Sequence, residues 1–194
     1  MTITANSMAP LAPPRRLPGT EPGLAVPARS RRDTGVVIAT PQSQDLIPGL
    51  VVEIGELWPD DRGVFTELFR QGGAGGFNAR QVSAAITYAG VIKALHYHCR
   101  QTDWWAPLRG QFQMVLVDLR LDSPAFGRVN TIFAGDWRPW RVRIPPGVGH
   151  GYKVLGEQPG WLVYATDQTY DPTDEGRIAY DDAGLNYAWE TQHR

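Results

Sequence analysis

The sequence predicts an all-β fold, and three observations support this. Short apolar, β-branched segments follow one another at a spacing of about ten residues, with turn-forming residues between them. The chain holds 21 glycines and 16 prolines, which suits many turns better than long helices. It shows neither a long amphipathic helical period nor an internal repeat. A barrel or sandwich of short strands is therefore expected.

Eight segments are predicted as strands. The first two flank a turn at residues 59–63, and Gly90 opens the third. Each segment alternates apolar and polar side chains or is rich in β-branched residues, so that at least one face can be buried. In chain order the segments are 50–54, 65–69, 90–97, 111–119, 130–133, 141–144, 151–155 and 161–166.

Residues 1–34 are predicted to be a disordered extension, and residues 35–194 a single folded domain. The extension contains six prolines and five arginines, and the first aromatic residue of the chain is Trp58. Such a segment buries too little apolar surface to offset the entropy lost on ordering.

Charge and cysteine content exclude several classes of protein. The formal net charge of −1 gives no electrostatic case for nucleic acid or for an anionic membrane as a partner. No apolar run approaches the roughly 20 residues that a membrane-spanning helix needs. The single Cys99 cannot form an internal disulfide, which fits a reducing compartment. A cytoplasmic protein that acts on a small molecule is expected.

Three of the four histidines lie in two short motifs. His96 and His98 share one face of a strand because side chains alternate. Asp103, beyond a turn, can return to that face, and the turn at 145–147 delivers His150. These motifs resemble those of the cupins, which implies a double-stranded β-helix, or jelly-roll barrel. The four side chains would surround one divalent metal ion (Fe, Mn, Ni or Zn), or would line a polar pocket without metal. No organic cofactor is expected.

A second resemblance covers residues from about 45 to 190. The run GVIKALHYH at 90–98 is similar to the GVLRGLHYQ segment of the dTDP-4-dehydrorhamnose 3,5-epimerases. Shorter matches occur in the same order as in the family, one before this run at 61–69 and two after it at 144–147 and 180–182. The resemblance implies a homodimer that acts on a thymidine-diphospho-4-keto-6-deoxysugar by removing a proton α to the ketone.

The same resemblance implies roles for individual residues. His96 would be the base, Asp182 the carboxylate that orients it, and Tyr164 the acid that returns a proton on the opposite face. Arg62 and Lys93 match positions that bind the diphosphate. The remaining positions expected near the sugar nucleotide are Phe65, Glu67, Gln81 and Tyr170.

Two departures from the family pattern concern the reacting centre. The catalytic lysine of the family falls at Asp103, and the glutamine two residues after the base has become His98. Losing the cation removes the enolate stabiliser, a term of about 3–4 kcal/mol. Since both exchanges restore cupin metal ligands, we hypothesise that a metal ion replaces the lysine as Lewis acid. His96 would then be a ligand rather than the base, and proton transfer would fall to Tyr164 or to activated water.

Two alternatives keep the fold but change the function. One is a metal-dependent cupin enzyme of secondary metabolism, an oxygenase, isomerase or cyclase acting on a non-sugar carbonyl compound. This metal-dependent enzyme is favoured if a pocket for an apolar substrate is lined by Trp104, Trp105, Trp137 and Trp140. It is disfavoured if these tryptophans only pack in the core. The other is a catalytically inactive, sugar-binding paralogue.

Overall fold

The computed structural model describes residues 12–20, 23–71 and 77–191, and these residues form strands and connecting loops without a helix. No helix that could cross a membrane therefore occurs within those ranges. The strands are β1 (Arg15–Arg16), β2 (Ala25–Val26), β3 (Val36–Val37), β4 (Val51–Ile54), β5 (Trp58–Asp60), β6 (Gly63–Phe65), β7 (Gln81–Thr87), β8 (Ile92–His98), β9 (Asp103–Arg109), β10 (Gln111–Asp118), β11 (Val129–Gly135), β12 (Trp140–Ile144), β13 (Val148–Leu155), β14 (Gly160–Thr166) and β15 (Glu175–Arg177).

Two large sheets make up the barrel. One has six strands in the order β15-β8-β13-β10-β11-β3, and the other has five in the order β4-β12-β9-β14-β7. The pairs are antiparallel except β3 with β11. From β7 to β15, strands that are neighbours in sequence, such as β8 and β9, lie in different sheets, except that β10 and β11 pair within one sheet. This alternation between facing sheets confirms the predicted jelly-roll barrel.

Strand β10 shows how alternation fills both sides of the six-stranded sheet. Phe112 and Met114 point inward and pack with side chains of the facing sheet, among them Val142. Val115 and Val117 point to the outer face and pack in a separate cluster there. All four β10 side chains are at most 1% exposed. Because both faces are buried, this strand is almost continuously apolar, in agreement with the strand predicted over residues 111–119.

The outer face of the six-stranded sheet is covered in part by the N-terminal segment. Leu24, Ala25 and Val26 are at most 5% exposed, and the Ala25 amide donates to the carbonyl of Leu119 at 2.8 Å. The structure thus differs from the predicted disorder over residues 12–20 and 23–34. The reason is that a few clustered apolar side chains suffice to dock a segment that is polar on average. Residues 1–11 lie outside the described part of the chain.

Two strands of the five-stranded sheet, the edge strand β7 and the inner strand β9, were absent from the predicted strands. β9 contains Pro107, which lacks an N–H and therefore argues against an inner strand. The pairing with β14 shifts register between Trp161 and Leu162, and Leu162 is the partner of Pro107. In β7 the usual pattern is reversed, because Val82 and Ile86 are 62% and 60% exposed. Tertiary context overrode the local signal in both strands.

Candidate active site

Three histidines and one aspartate meet between the two sheets. His96 and His98 lie on β8, and His150 lies on β13 directly opposite His96. Asp103 is the first residue of β9 in the facing sheet. One ligating atom from each side chain lies within 4.8 Å of the other three. The structure therefore brings together all four residues that were predicted from the sequence as metal ligands.

The hydrogen bonds of His150 fix the direction of its lone pair. Its Nδ1–H donates to the carbonyl oxygen of Val148 at 2.8 Å. A carbonyl oxygen only accepts, so in the neutral ring Nε2 carries the lone pair. That nitrogen lies 3.2 Å from Oδ2 of Asp103. This contact is a hydrogen bond when Nε2 carries a proton, and Nε2 can act as a ligand atom when it does not.

His98 is oriented in the same sense by Gln101. The Gln101 side-chain amide donates to Asp103 Oδ1 at 2.7 Å and lies 3.2 Å from His98 Nε2, which can only accept from it. Nδ1 of His98 therefore carries the hydrogen. It faces Oδ2 of Asp174 at 3.9 Å and has no hydrogen-bond partner within the described residues.

The ionisation states of the cluster follow from its burial. Burial, and then the nearby charge of His150, lower the pKa of His96 to about 4. Burial also lowers the pKa of His98. Burial by itself would raise the pKa of Asp103, but the hydrogen bond with His150 and the adjacent imidazoles hold it well below its ordinary value. Near pH 7, His96 and His98 are neutral and Asp103 is ionised, which are the states that metal ligands need.

Asp174 shapes the bend that connects β8 to β9. Its carboxylate is 5% exposed and accepts the backbone N–H groups of Cys99, Arg100 and Gln101 at 3.0–3.3 Å. The same carboxylate faces His98. The Asp174 carboxylate thus holds the bend that presents Gln101 and also lies beside Nδ1 of the His98 ring. The adjacent Cys99 is a free thiol.

A cavity of about 590 Å³ opens beside the cluster. Tyr164 on β14 lies directly opposite Trp105 on β9, and both side chains line this cavity. His96 forms its wall with 32% of the side chain exposed, against 6% or less for His98 and Asp103. The residues predicted for the site that line it are Gln81, Lys93, His96, His98, Asp103, Tyr164 and Tyr170.

Three predicted substrate contacts lie elsewhere. Arg62 sits in the β5–β6 hairpin, where it pairs with Asp60 at 2.5 Å, and Phe65 is 67% exposed. Glu67 pairs with Arg70 at 2.5 Å and lines a separate cavity of about 290 Å³. None of the three lines the cavity of His96 within the described chain.

Asp182, which was expected to orient the base, does not line the cavity of His96. Its carboxylate pairs with Arg15 and accepts the backbone N–H groups of Gly184 and Leu185. Leu185 is buried in the outer cluster of the six-stranded sheet, so this turn is held on the outside of the barrel. The carboxylate that faces His96 is Asp103, with 4.0 Å between Oδ2 and Nε2.

Several residues of the site were missed from the sequence. Trp105 donates its indole N–H to Asp103 Oδ2 at 3.2 Å, and its position two residues after Asp103 could have placed it on the same face. Glu175 and Arg177 line the cavity from β15. Gln101 and Asp174 gave no sequence signal. Of the four tryptophans considered for a pocket, Trp105 lines the cavity of His96 and Trp104 lines the smaller cavity of Glu67.

Comparison with known proteins identifies the family of this chain. Residues 44–194 match the model of the dTDP-4-dehydrorhamnose 3,5-epimerase family. The chain is 41% identical over 151 residues to the spore coat polysaccharide biosynthesis protein SpsL of Bacillus subtilis, an alignment that covers 77% of this chain and 100% of SpsL.

Two solved structures are also similar. The dTDP sugar isomerase of Desulfovibrio desulfuricans superposes with a TM-score of 0.71 at 22% identity, covering 74% of this chain and 92% of that one. At this identity the likeness concerns the fold. ChmJ of Streptomyces bikiniensis, a 3'-monoepimerase solved with dTDP-quinovose, gives a TM-score of 0.68 at 28% identity, with 74% and 76% covered. The chain therefore belongs to the dTDP-4-dehydrorhamnose 3,5-epimerase family and is an enzyme of the isomerase class.

Proposed function

We propose that this enzyme epimerises a 4-keto-6-deoxysugar carried on dTDP, at a carbon next to the ketone. The observation that carries the proposal is that an imidazole and a phenol, those of His96 and Tyr164, line one cavity from opposite sheets. An epimerisation requires removal of a proton on one face of the sugar and its return on the other. The family membership and the dTDP-quinovose bound by ChmJ support the choice of substrate class.

His96 is neutral near pH 7 and is the most accessible member of the buried cluster. We assign it the proton α to the ketone and assign Tyr164 the return of a proton from its hydroxyl. Asp103 takes the orienting role that was expected of Asp182. An imidazole with a pKa of about 4 is a weak base. The reaction therefore depends on stabilisation of the enolate oxygen, which an anionic Asp103 cannot provide.

We further propose that His98, Asp103 and His150 hold one divalent metal ion, and that His96 completes the ligand set only if another group removes the proton, because one imidazole nitrogen cannot be both ligand and base. The donor set fits, since three imidazoles and one carboxylate lie within 4.8 Å of one another. Nε2 of His150 and Oδ2 of Asp103 lie 3.2 Å apart, a separation that suits two ligand atoms of one ion. If these residues hold a divalent ion, it would supply Lewis-acid chemistry beside the cavity. His98, Asp103 and His150 are the buried anchors, and His96 is the member that substrate reaches.

The test is deuterium exchange from D₂O into dTDP-4-dehydro-6-deoxyglucose, followed by NMR beside metal analysis by elemental mass spectrometry. The wild type should exchange the proton next to the ketone and hold about one ion per chain. Tyr164→Phe should lose exchange and keep the metal. Tyr88→Phe, an exposed tyrosine outside the cavity, is the matched control and should behave as wild type.

His96→Asn separates the two roles of that imidazole. Loss of exchange with the metal retained assigns His96 to proton transfer, whereas loss of both assigns it to the ligand set. Stoichiometric metal without exchange in any sugar nucleotide would favour the metal-dependent cupin with a non-sugar carbonyl substrate. Neither metal nor exchange would contradict both proposals.

We also propose that the enzyme is a homodimer in which the β5–β6 hairpin serves the partner's cavity. Three predicted substrate contacts, Arg62, Phe65 and Glu67, lie outside the cavity of their own chain. Strand β7 is an edge strand with exposed Val82 and Ile86. Apolar edge strands are normally covered, and a second copy would cover this one.

A further inference from the structure

The edge strand β15 places an arginine next to the reacting centre. Arg177 pairs directly with His96 across β15 and β8, and Glu175 pairs with His98. Residues directly opposite one another in an antiparallel pair project to the same face. Arg177 therefore projects to the face of the sheet that carries His96, and it lines the cavity.

A register shift in β8 brings a second cation to the same face. His150 pairs with His96, and two residues later in β13 Tyr152 pairs with Lys93, which is three residues away in β8. One extra residue in β8 allows both Lys93 and His96 to face the cavity, because a bulge redirects the side chains beside it. Among the cavity-lining residues of the described chain, Lys93 and Arg177 are the lysine and arginine present.

Arg177 is oriented by an ion pair that leaves most of its donors available. Its Nε and Nη2 bond Glu175 Oε1 at 2.9 and 2.8 Å. The Arg177 side chain is 82% exposed, whereas that of Glu175 is 15% exposed. A guanidinium has five N–H groups, so a second anion at the cavity mouth can be bound without breaking this pair.

We propose that Arg177 is a further diphosphate-binding residue, which acts beside Lys93, the position that the family resemblance assigns to the diphosphate. This rests on the proposed function, which places the sugar ring at His96 and Tyr164 inside the cavity. The diphosphate attached to that sugar then lies toward the mouth, where the exposed guanidinium stands. Guanidinium groups suit phosphate oxygens because two parallel N–H groups match them. Arg62, the expected diphosphate residue, does not line this cavity in its own chain.

The test compares the affinities of dTDP and of thymidine, which has no phosphate, by isothermal titration calorimetry. Arg177→Ala should weaken dTDP binding roughly tenfold and leave thymidine binding unchanged. It should also raise KM for the sugar nucleotide with little change in kcat. Arg177→Lys should recover part of the affinity. The matched control is Arg32→Ala, another exposed arginine paired with a glutamate, Glu190, which lies outside the cavity lining and should bind dTDP as wild type does.

The outcomes separate this inference from the proposed function. Wild-type protein that binds dTDP, beside an Arg177→Ala variant with the same affinity and an unchanged melting temperature, overturns the role of Arg177 alone. Equal weakening of dTDP and thymidine also overturns it, since the effect would not concern the diphosphate. Wild-type protein that fails to bind dTDP contradicts the proposed substrate class itself.

Discussion

The buried cluster between the sheets and the β5–β6 hairpin differ in how completely one chain assembles them. His96, His98, Asp103 and His150 come from three strands and meet within 4.8 Å inside the barrel. The hairpin carries Arg62 and Phe65 away from that cavity, with both side chains largely exposed. The strand pairing of the sheets fixes the positions of the cluster residues within one chain. The exposed hairpin needs a second molecule before its side chains can contact substrate.

The largest expected effect comes from removing the carboxylate at the centre of the cluster. Asp103→Ala should abolish metal binding and lower the exchange rate by on the order of 100-fold or more, because it removes a ligand and the electrostatic arrangement around it. Elemental analysis and deuterium exchange measure the two effects. Asp45→Ala, an exposed aspartate, is the control. Full activity of Asp103→Ala would show that the cluster is not the reacting centre.

The next effect concerns the support of the cluster. Asp174→Asn should weaken metal binding by about 10–100-fold, since a carboxylate behind a ligating imidazole orients the ring and raises its basicity. The control is Asp167→Asn. Asp167 follows β14 and accepts the Thr102 amide of the same bend at 2.8 Å, and it is not a partner of His98. Equal loss in both variants would assign the effect to the bend rather than to the orientation of His98.

A double variant asks whether the metal replaces the missing lysine. His98→Gln with Asp103→Lys recreates the family pattern, so it should lose the metal yet retain exchange within roughly tenfold of wild type, as the ammonium again stabilises the enolate oxygen. Exchange by the metal-free variant is read against Asp103→Ala. If the double variant is as inactive as Asp103→Ala, a lysine at this position does not restore the stabilisation.

The smallest effect comes from the β5–β6 hairpin and tests whether this hairpin contacts substrate in the cavity of a partner subunit. A chain with Arg62→Ala and Phe65→Ala should lose activity about tenfold, the value of one charge-assisted contact. Mixing it with His96→Asn chains, with subunit exchange, should restore activity, because one site of the mixed dimer then has an intact hairpin and an intact His96. Absence of restoration, or a monomer in sedimentation, would contradict the swapped arrangement. Ile86→Asp should weaken the dimer if β7 forms the interface.

The sequence predicted the fold class and the cluster because both depend on short-range rules. Alternation puts His96 and His98 on one face, and glycine–proline turns mark the strand ends. It failed at Asp182, which matched a family position but is held on the outer surface by Leu185 packing and by Arg15. It also failed for residues 23–34, whose few apolar side chains dock onto the outer sheet. The cytoplasmic location remains a prediction.

The sequence by itself determined that this is an all-β barrel of the epimerase family, and it predicted that Asp103 stands at the position of the family's lysine. Only the tertiary structure decided which groups surround that aspartate. Gln101 and Trp105 donate hydrogen bonds to Asp103, and Asp174 holds the bend that presents Gln101. Arg177 lies on the edge strand β15 and comes opposite His96 because β15 pairs with β8. These contacts join residues from separate segments, and their pairing depends on register and burial across the whole barrel rather than on local pattern.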